Sequence, residues 1–305
     1  MIPVGREGVC SDLAARYVCE REKERHPHSP FGDKGFVEKM KIMVVGFFTC
    51  FPLLPLPSQY KLTYRWDWED FSTKRLTDSM SSDAELALRP YEARVLLYSY
   101  WKSSCSSRVR IALALKGVDY EYVPVNLTKD GGEQFKEEYR KINPMSQVPA
   151  IFIDGVVLSQ SVPIIEYLDE TRPDPPLLPK DPKDRAKARM LVEVINSGIQ
   201  PLQTSRILKV FGDKKEEWAC SMISDAFVAL EQTLQDTAGR YCVGNEVTIA
   251  DIYLVPQVIN AIRFGVDMSK YPTISKIKDA LEVLPAFVTA HETRQPDTPD
   301  DQQAK

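Results

Sequence analysis

The sequence predicts an α/β domain followed by an all-helical domain, and three observations carry that prediction. Short apolar runs alternate with helical patterns over residues 94–171. The stretch RPDPPLLPKDP, residues 172–182, carries five prolines. Beyond it strand signals vanish and long helical patterns follow. At roughly 100–200 residues per domain, 305 residues accommodate about two domains.

Each element has a local reason. Residues 95–98 (VLLY) read as a short buried strand. Ser103 and Ser104 stand before VRIALALKG, which places a helix up to Lys116 with serine as N-cap and Gly117 past its end. Residues 120–125 read as a second strand, and Gly131-Gly132 opens a polar helix over 133–141. Residues 148–153 and 156–158 are strands joined by Asp154-Gly155, a hairpin turn pair. A helix over 161–171 closes the unit. The order β-α-β-α-β-β-α describes a thioredoxin-like domain, residues 93–173. A stiff linker (174–182), an all-helical domain (183–299) and a tail (300–305) follow, with helices over 185–200, 216–237, 249–264 and 274–284. Thr248-Ile249-Ala250-Asp251 fits a capping box, with Val247 stapling to Ile252, so Asp251 reads as a folding residue and not a catalyst. Residues 1–92 show no sustained period and read as a poorly ordered extension, with Met40, Met43 and Met80 as alternative starts.

Composition narrows the function. The chain is 43% hydrophobic and 27% charged, ordinary for a soluble globular protein. Its 39 basic and 43 acidic residues give a net charge of −4, which argues against nucleic acid as the main partner. His26, His28 and His291 leave little material for a metal site. The six cysteines form no C-x-x-C pair, which favours reduced thiols and the cytoplasm, with the mitochondrion as the alternative compartment. Residues 42–56 (IMVVGFFTCFPLLPL) follow Lys39 and Lys41 and loosely resemble a signal-peptide core. They are shorter than the ~20 residues a spanning helix needs, contain Pro52 and Pro55, and precede no A-x-A-like site, so no membrane partner is expected.

Three features of the first domain converge. Lys102-Ser103-Ser104-Cys105 lies where the first strand hands over to a helix, and open α/β sheets bind ligands outside the carboxyl ends of their strands. A helix start also presents free N–H groups that favour an anion. Val148-Pro149 enters a strand, and in thioredoxin-like domains this proline is cis, leaving the preceding backbone free to pair with an extended peptide. Gln160-Ser161 begins a second anion-friendly helix. Two helix ends and a strand edge on one side of a sheet suit a short acidic peptide.

The segments LYSYWKSSCSSRVRIALALKG, INPMSQVPAIFIDG, LSQSVPIIEYLDETRP, GIQPLQ, GNEVTIADIYLVPQV and RQPDTP resemble the zeta class of glutathione S-transferases over residues 94–299. The resemblance implies the glutathione S-transferase fold, glutathione as cofactor and a homodimer. It places glutathione contacts on Ser103, Ser104, Cys105, Ser106, Ser107, Arg108, Gln134, Val148, Gln160, Ser161 and Gln200, and on Thr204, Ser205 and Arg206. Ser103 is the position expected to stabilise the sulfur anion, flanked by Ser104 and by Cys105 as a tuning residue. The implied reaction is cis–trans isomerisation of maleylacetoacetate to fumarylacetoacetate, a step of phenylalanine and tyrosine catabolism, with transferase and 2-haloacid activity beside it. The thiolate adds to the conjugated cis double bond, the new single bond rotates, and elimination regenerates glutathione. A small dicarboxylate electrophile needs cations, and Arg108, Arg263 and Lys102 are the candidates.

The energetics are of the right size. Lowering a thiol pKa from about 8.5 by about 2 units requires roughly 2.7 kcal/mol of differential stabilisation. A charge-assisted hydroxyl bond (~1.5–3 kcal/mol) and a helix terminus (~0.3–1 kcal/mol) supply it. Two departures bear on substrate choice: the family usually carries Trp or His at Ser107, and Thr204-Ser205-Arg206 is more basic than usual. The alternatives are a divergent transferase without isomerase activity, a thiol oxidoreductase acting through Cys105, and a non-catalytic scaffold of the same fold.

Overall fold

The structure, a computed structural model, describes residues 94–304. The expected extension, the apolar stretch 42–56, and Cys10, Cys19, Cys50, His26 and His28 lie outside the described residues. Four strands, β1 (Leu96–Ser99), β2 (Glu121–Pro124), β3 (Ala150–Ile153) and β4 (Val156–Ser159), form one sheet in the order β2-β1-β3-β4. β1 and β2 are parallel, and β1–β3 and β3–β4 are antiparallel. A parallel pair needs a crossover, which α1 (Ser104–Leu115) supplies. α3 (Ser161–Thr171) packs against α1. At the β3–β4 turn both Asp154 (φ 51°) and Gly155 (φ 79°) are left-handed, as a two-residue I′ turn requires.

The polar helix expected over 133–141 is broken. A tight turn, Glu133–Phe135, is followed by extended Lys136 (φ −65°, ψ 149°) and then α2 (Glu137–Ile142). Glu133 explains the break. Its N–H donates to the Asn126 carbonyl at 2.8 Å, and its carboxylate accepts the Asn126 N–H at 2.8 Å. The first turn is thereby stitched to the loop after β2. The same bond holds the Glu133 carboxyl below its ordinary pKa.

The proline-rich connection is anchored. Buried Leu177 donates its N–H to Asp169 Oδ1 at 2.7 Å, and its carbonyl accepts the Ile249 N–H at 2.8 Å. The helices beyond it are α4 (Pro182–Glu193), α5 (Ser205–Phe211), α6 (Lys215–Thr237), α7 (Ile249–Arg263), α8 (Pro272–Glu282) and α9 (Pro285–Ala290). Residues 185–200, expected as one helix, divide into α4, a widened π segment Val194–Ile199 and a tight turn Gln200–Gln203. Pro201 has no N–H to extend the α ladder, and its ring crowds the carbonyl one turn earlier. The short helices α5 and α9 were not foreseen. The 300–304 segment is docked: the Ala304 N–H donates to the Thr293 carbonyl at 3.0 Å.

The capping box at α7 is present. Asp251, fully buried, accepts the Thr248 N–H at 2.7 Å, the Thr248 hydroxyl at 3.0 Å and the Cys242 N–H at 2.8 Å. One contiguous core joins the sheet half to the helical half, with Leu97, Ile151 and Ile164 in the same cluster as Leu191, Phe227 and Tyr253. α1 lies inside that junction, packed against α3, α7 and α9, and is buried continuously from Ser106 to Leu113. Among the described residues no helix is long and apolar enough to cross a membrane.

Candidate active site

The strand-to-helix turn is held by a buried arginine. Arg110 donates to the Ser99 hydroxyl (3.0 Å) and to the carbonyls of Tyr100 (3.3 Å), Trp101 (3.1 Å) and Ala290 (3.2 Å). Four acceptors satisfy this side chain and tie the end of β1 to α9. The turn it braces carries Ser103 as N-cap of α1. Ser103 Oγ accepts the Ser106 N–H at 3.2 Å, so the hydroxyl hydrogen stays free to donate elsewhere. Ser103, Ser104 and Ser107 line a cleft whose opposite wall is Pro256, Ile259 and Asn260 from α7, with Glu292. The turn and the helical half thus meet across one small opening. Cys105, a free thiol, is the next residue of α1 and partly buried.

A second cluster lies behind α1. Arg108 is fully buried, with Nη1 donating to Ser161 Oγ at 3.3 Å and Asn196 Oδ1 at 3.1 Å. Its guanidinium carbon lies 4.2 Å from the centre of the Tyr253 ring. Tyr253 OH donates to the same Ser161 Oγ at 2.9 Å. With two donors filling its lone pairs, the Ser161 hydroxyl keeps its hydrogen for a further acceptor. Burial pushes the Tyr253 phenol up to about 12, so it remains a donor at neutral pH. Arg108 Nε and Nη2 have no partner within the described residues. The Arg108 guanidinium is thus buried beside Ser161 and Tyr253, with one nitrogen engaged by Ser161 and Asn196 and two left over.

The other expected residues are spread around these clusters. Gln134 is buried with Oε1 unpartnered, and a Cβ at Gly132 (φ 110°) would fall 2.5 Å from its Nε2, so only glycine fits there. The Val148–Pro149 bond is cis, and the β-ladder begins at Ala150, leaving the Val148 backbone outside it. Gln160 takes φ 72° at the N-terminus of α3. Gln200 opens the tight turn, Thr204 stands at the N-cap of α5 and Ser205 and Arg206 begin it, and none of them lines the cleft. Lys102 is exposed, its ammonium 5.4 Å from the Trp101 ring centre. Arg263 does not itself line the cleft, but two residues of its wall hold it: its Nη2 is 2.5 Å from Glu292 Oε2 and its Nη1 2.5 Å from Asn260 Oδ1.

Family models of the glutathione S-transferase N-terminal and C-terminal domains match residues 102–171 and 206–290. The chain is 60% identical over 205 residues to maleylacetoacetate isomerase of Rattus norvegicus, covering 67% of this chain and 95% of the relative. It also matches the structure of a maleylpyruvate isomerase described as a bacterial glutathione S-transferase in zeta class. That match has 41% identity and a TM-score of 0.65, over 67% of this chain and 100% of the other. The chain belongs to the zeta-class glutathione S-transferases. A further zeta-type neighbour, maleylacetoacetate isomerase of Anaeromyxobacter dehalogenans 2CP-1, was crystallised with glutathione in its active site. It is 45% identical with a TM-score of 0.62, over 68% of this chain and 98% of that one.

Sequence reasoning missed Tyr253, Asn196, Asn260 and Glu292 in this zeta-class site. Tyr253 sits in the apolar run IYLVPQV and reads as core, which it also is. The Thr248-x-x-Asp251 start of α7 located the helix that carries Tyr253 and Asn260, but not the face it turns toward the cleft.

Proposed function

We propose that this chain catalyses the glutathione-dependent cis–trans isomerisation of maleylacetoacetate to fumarylacetoacetate, with transfer of glutathione to 2-haloacids as a side activity. It works as a homodimer in the cytoplasm, with the mitochondrion as the alternative compartment. The single observation that carries the reading is Ser103: a helix N-cap whose oxygen is occupied by the Ser106 N–H while its hydrogen is free, on the wall of the cleft. The homodimer rests on the family resemblance. The compartment rests on free Cys105, Cys220 and Cys242.

The donor set fits glutathione group by group. Ser161, primed by Arg108 and Tyr253, would hold a peptide carboxylate, and the unpartnered Gln134 Oε1 would take an N–H. The Val148 backbone, outside the ladder, would pair with the cysteinyl backbone. Ser104 and Cys105 would add the free first-turn N–H groups of α1, ahead of Ser106 and Ser107, whose N–H groups bond back to Ser103, while Gln160, Gln200, Thr204, Ser205 and Arg206 are expected glutathione contacts beyond the cleft lining. When bound, glutathione supplies a sulfur nucleophile able to add to and leave an activated double bond. Ser103 donates to the sulfur and the α1 terminus favours its negative charge. Pro256 and Ile259 form an apolar wall that excludes water from the acceptor, and Lys102 and Arg263, outside that lining, would be its cations.

The deciding experiment is turnover of maleylacetoacetate with glutathione kept well below substrate. Complete conversion to the trans isomer, with glutathione recovered unchanged, is the expected result. Loss of substrate only in proportion to glutathione consumed would favour the transferase without isomerase activity, a reading that the Arg263–Glu292 pair makes specific.

A further inference from the structure

Arg263 ends α7, and Glu292 opens the turn Glu292–Arg294. Glu292 lines the cleft beside Ser103, Ser104 and Ser107, and its carboxylate sits on Arg263 Nη2. Asn260, on the same wall, occupies Nη1. The side chains of Arg263 and Glu292 are 26% and 21% exposed, so the pair is partly withdrawn from water. Arg263 therefore sits against two residues of the cleft wall and already carries a carboxylate of the chain itself.

That carboxylate is held in place. The Glu292 carbonyl accepts the Thr298 hydroxyl at 2.6 Å, and Gln295 Nε2 donates to the His291 carbonyl at 2.7 Å. Asp297 accepts the Trp101 N–H at 3.0 Å and the Tyr122 hydroxyl at 2.6 Å. The strap that carries Glu292 is thus fastened to the strand-to-helix turn itself, so the backbone beneath Glu292 cannot drift away from the cleft.

We propose that Glu292 is a built-in counter-ion that sets acceptor specificity: by neutralising Arg263 it weakens the hold on dicarboxylates relative to monocarboxylates. The proposal rests on the reading of this cleft as a glutathione-dependent site. The second carboxylate of a dianion must either displace Glu292 or share the guanidinium with it. Displacement leaves a charge unpaired, and sharing brings like charges together where water only partly screens them. An acceptor with a single carboxylate, held at the Lys102 side, meets neither difficulty. Glu292 therefore shifts the site toward monoanionic electrophiles, the class to which 2-haloacids belong.

Calorimetry on the full chain tests this, with glutathione titrated first and then malonate or acetate as dianionic and monoanionic probes. Glu292→Gln keeps an oxygen for Arg263 but removes the charge. It should bind malonate about tenfold more tightly than the parent, with the acetate affinity moving less than about twofold. Glu292→Ala should show the same malonate gain, and the double variant Glu292→Gln/Arg263→Gln should lose it. Equal malonate affinity in the parent and both Glu292 variants, or a gain that survives removal of Arg263, would overturn the proposal while glutathione binding leaves the site reading intact. No glutathione heat in the parent would overturn both.

Discussion

The two ends of the cleft are built on opposite principles. At the end assigned to glutathione, donors exceed acceptors: Ser103 has a free hydroxyl hydrogen, Ser161 receives two donors and can pass one on, and Arg108 keeps two unpartnered nitrogens. At the acceptor end the chain has matched itself, Arg263 with Glu292 and Asn260. Arg110, two residues from Arg108 on the same buried helix, shows the matched case in purely structural form, with four internal acceptors. Unmatched buried polarity is costly, so it persists where a ligand completes the bonds. Matched polarity at a cleft wall does the reverse and screens the wall against a like charge.

The sharpest way to break this contrast is at Ser103. In Ser103→Ala, glutathione-dependent turnover should fall by about 10²–10³-fold, the range for removing one oxyanion donor. Glutathione affinity measured by calorimetry should move less than about threefold, because ground-state binding is shared among many groups. Equal losses in both would make the hydroxyl a mere contact. The variant should also lose about 1 kcal/mol of stability with its cap.

Asp251 provides a control outside the cleft, because it too is a buried carboxylate but is held by Thr248 and Cys242, groups of its own fold. Asp251→Ala should lower the unfolding free energy by about 2–4 kcal/mol in urea while leaving kcat/KM per folded molecule unchanged. A drop in kcat/KM without a drop in stability would place Asp251 in the chemistry.

The smallest effect concerns Tyr253. Its folded pKa, raised by burial to about 12, lies above the unfolded value near 10. The unfolded chain therefore releases this proton first. The associated stability is fully present below about pH 10 and is lost as pH rises toward 12. Tyr253→Phe should flatten the alkaline decline by up to about 1.4 kcal/mol per pH unit, read from urea midpoints between pH 9 and pH 11.5. An unchanged slope would show that the phenol is not sealed behind Ser161.

Much of the fold was legible because its signals are local. The cap at Ser103, the stop at Gly117, the Asp154-Gly155 turn and the bounds of α3 each depend on a few neighbouring residues. The 133–141 helix failed because Glu133 bonds to Asn126, outside any helical window. The 185–200 helix failed because Pro201 acts on the turn before it. Within the site, the serines and the Val148-Pro149 bond were visible as motif and spacing. Tyr253, Asn196 and Glu292 were not, since nothing in their neighbours marks them as different from core or surface.

Pattern, turn chemistry and capping were written in the chain itself, because they act over a turn or a hairpin and need no distant partner. Charge compensation was not. Arg108, Arg110 and Arg263 are the same residue type on helices, yet one is half-satisfied, one fully satisfied and one neutralised by a carboxylate. Those differences depend on partners that reach from three positions away (Asn260 for Arg263) to 180 (Ala290 for Arg110), and α8 shows the same dependence, its first N–H groups capped by Glu231 of α6 at 2.8 and 3.0 Å. An electrostatic environment is a property of whatever folding brings within a few ångströms, and no local window of sequence contains it.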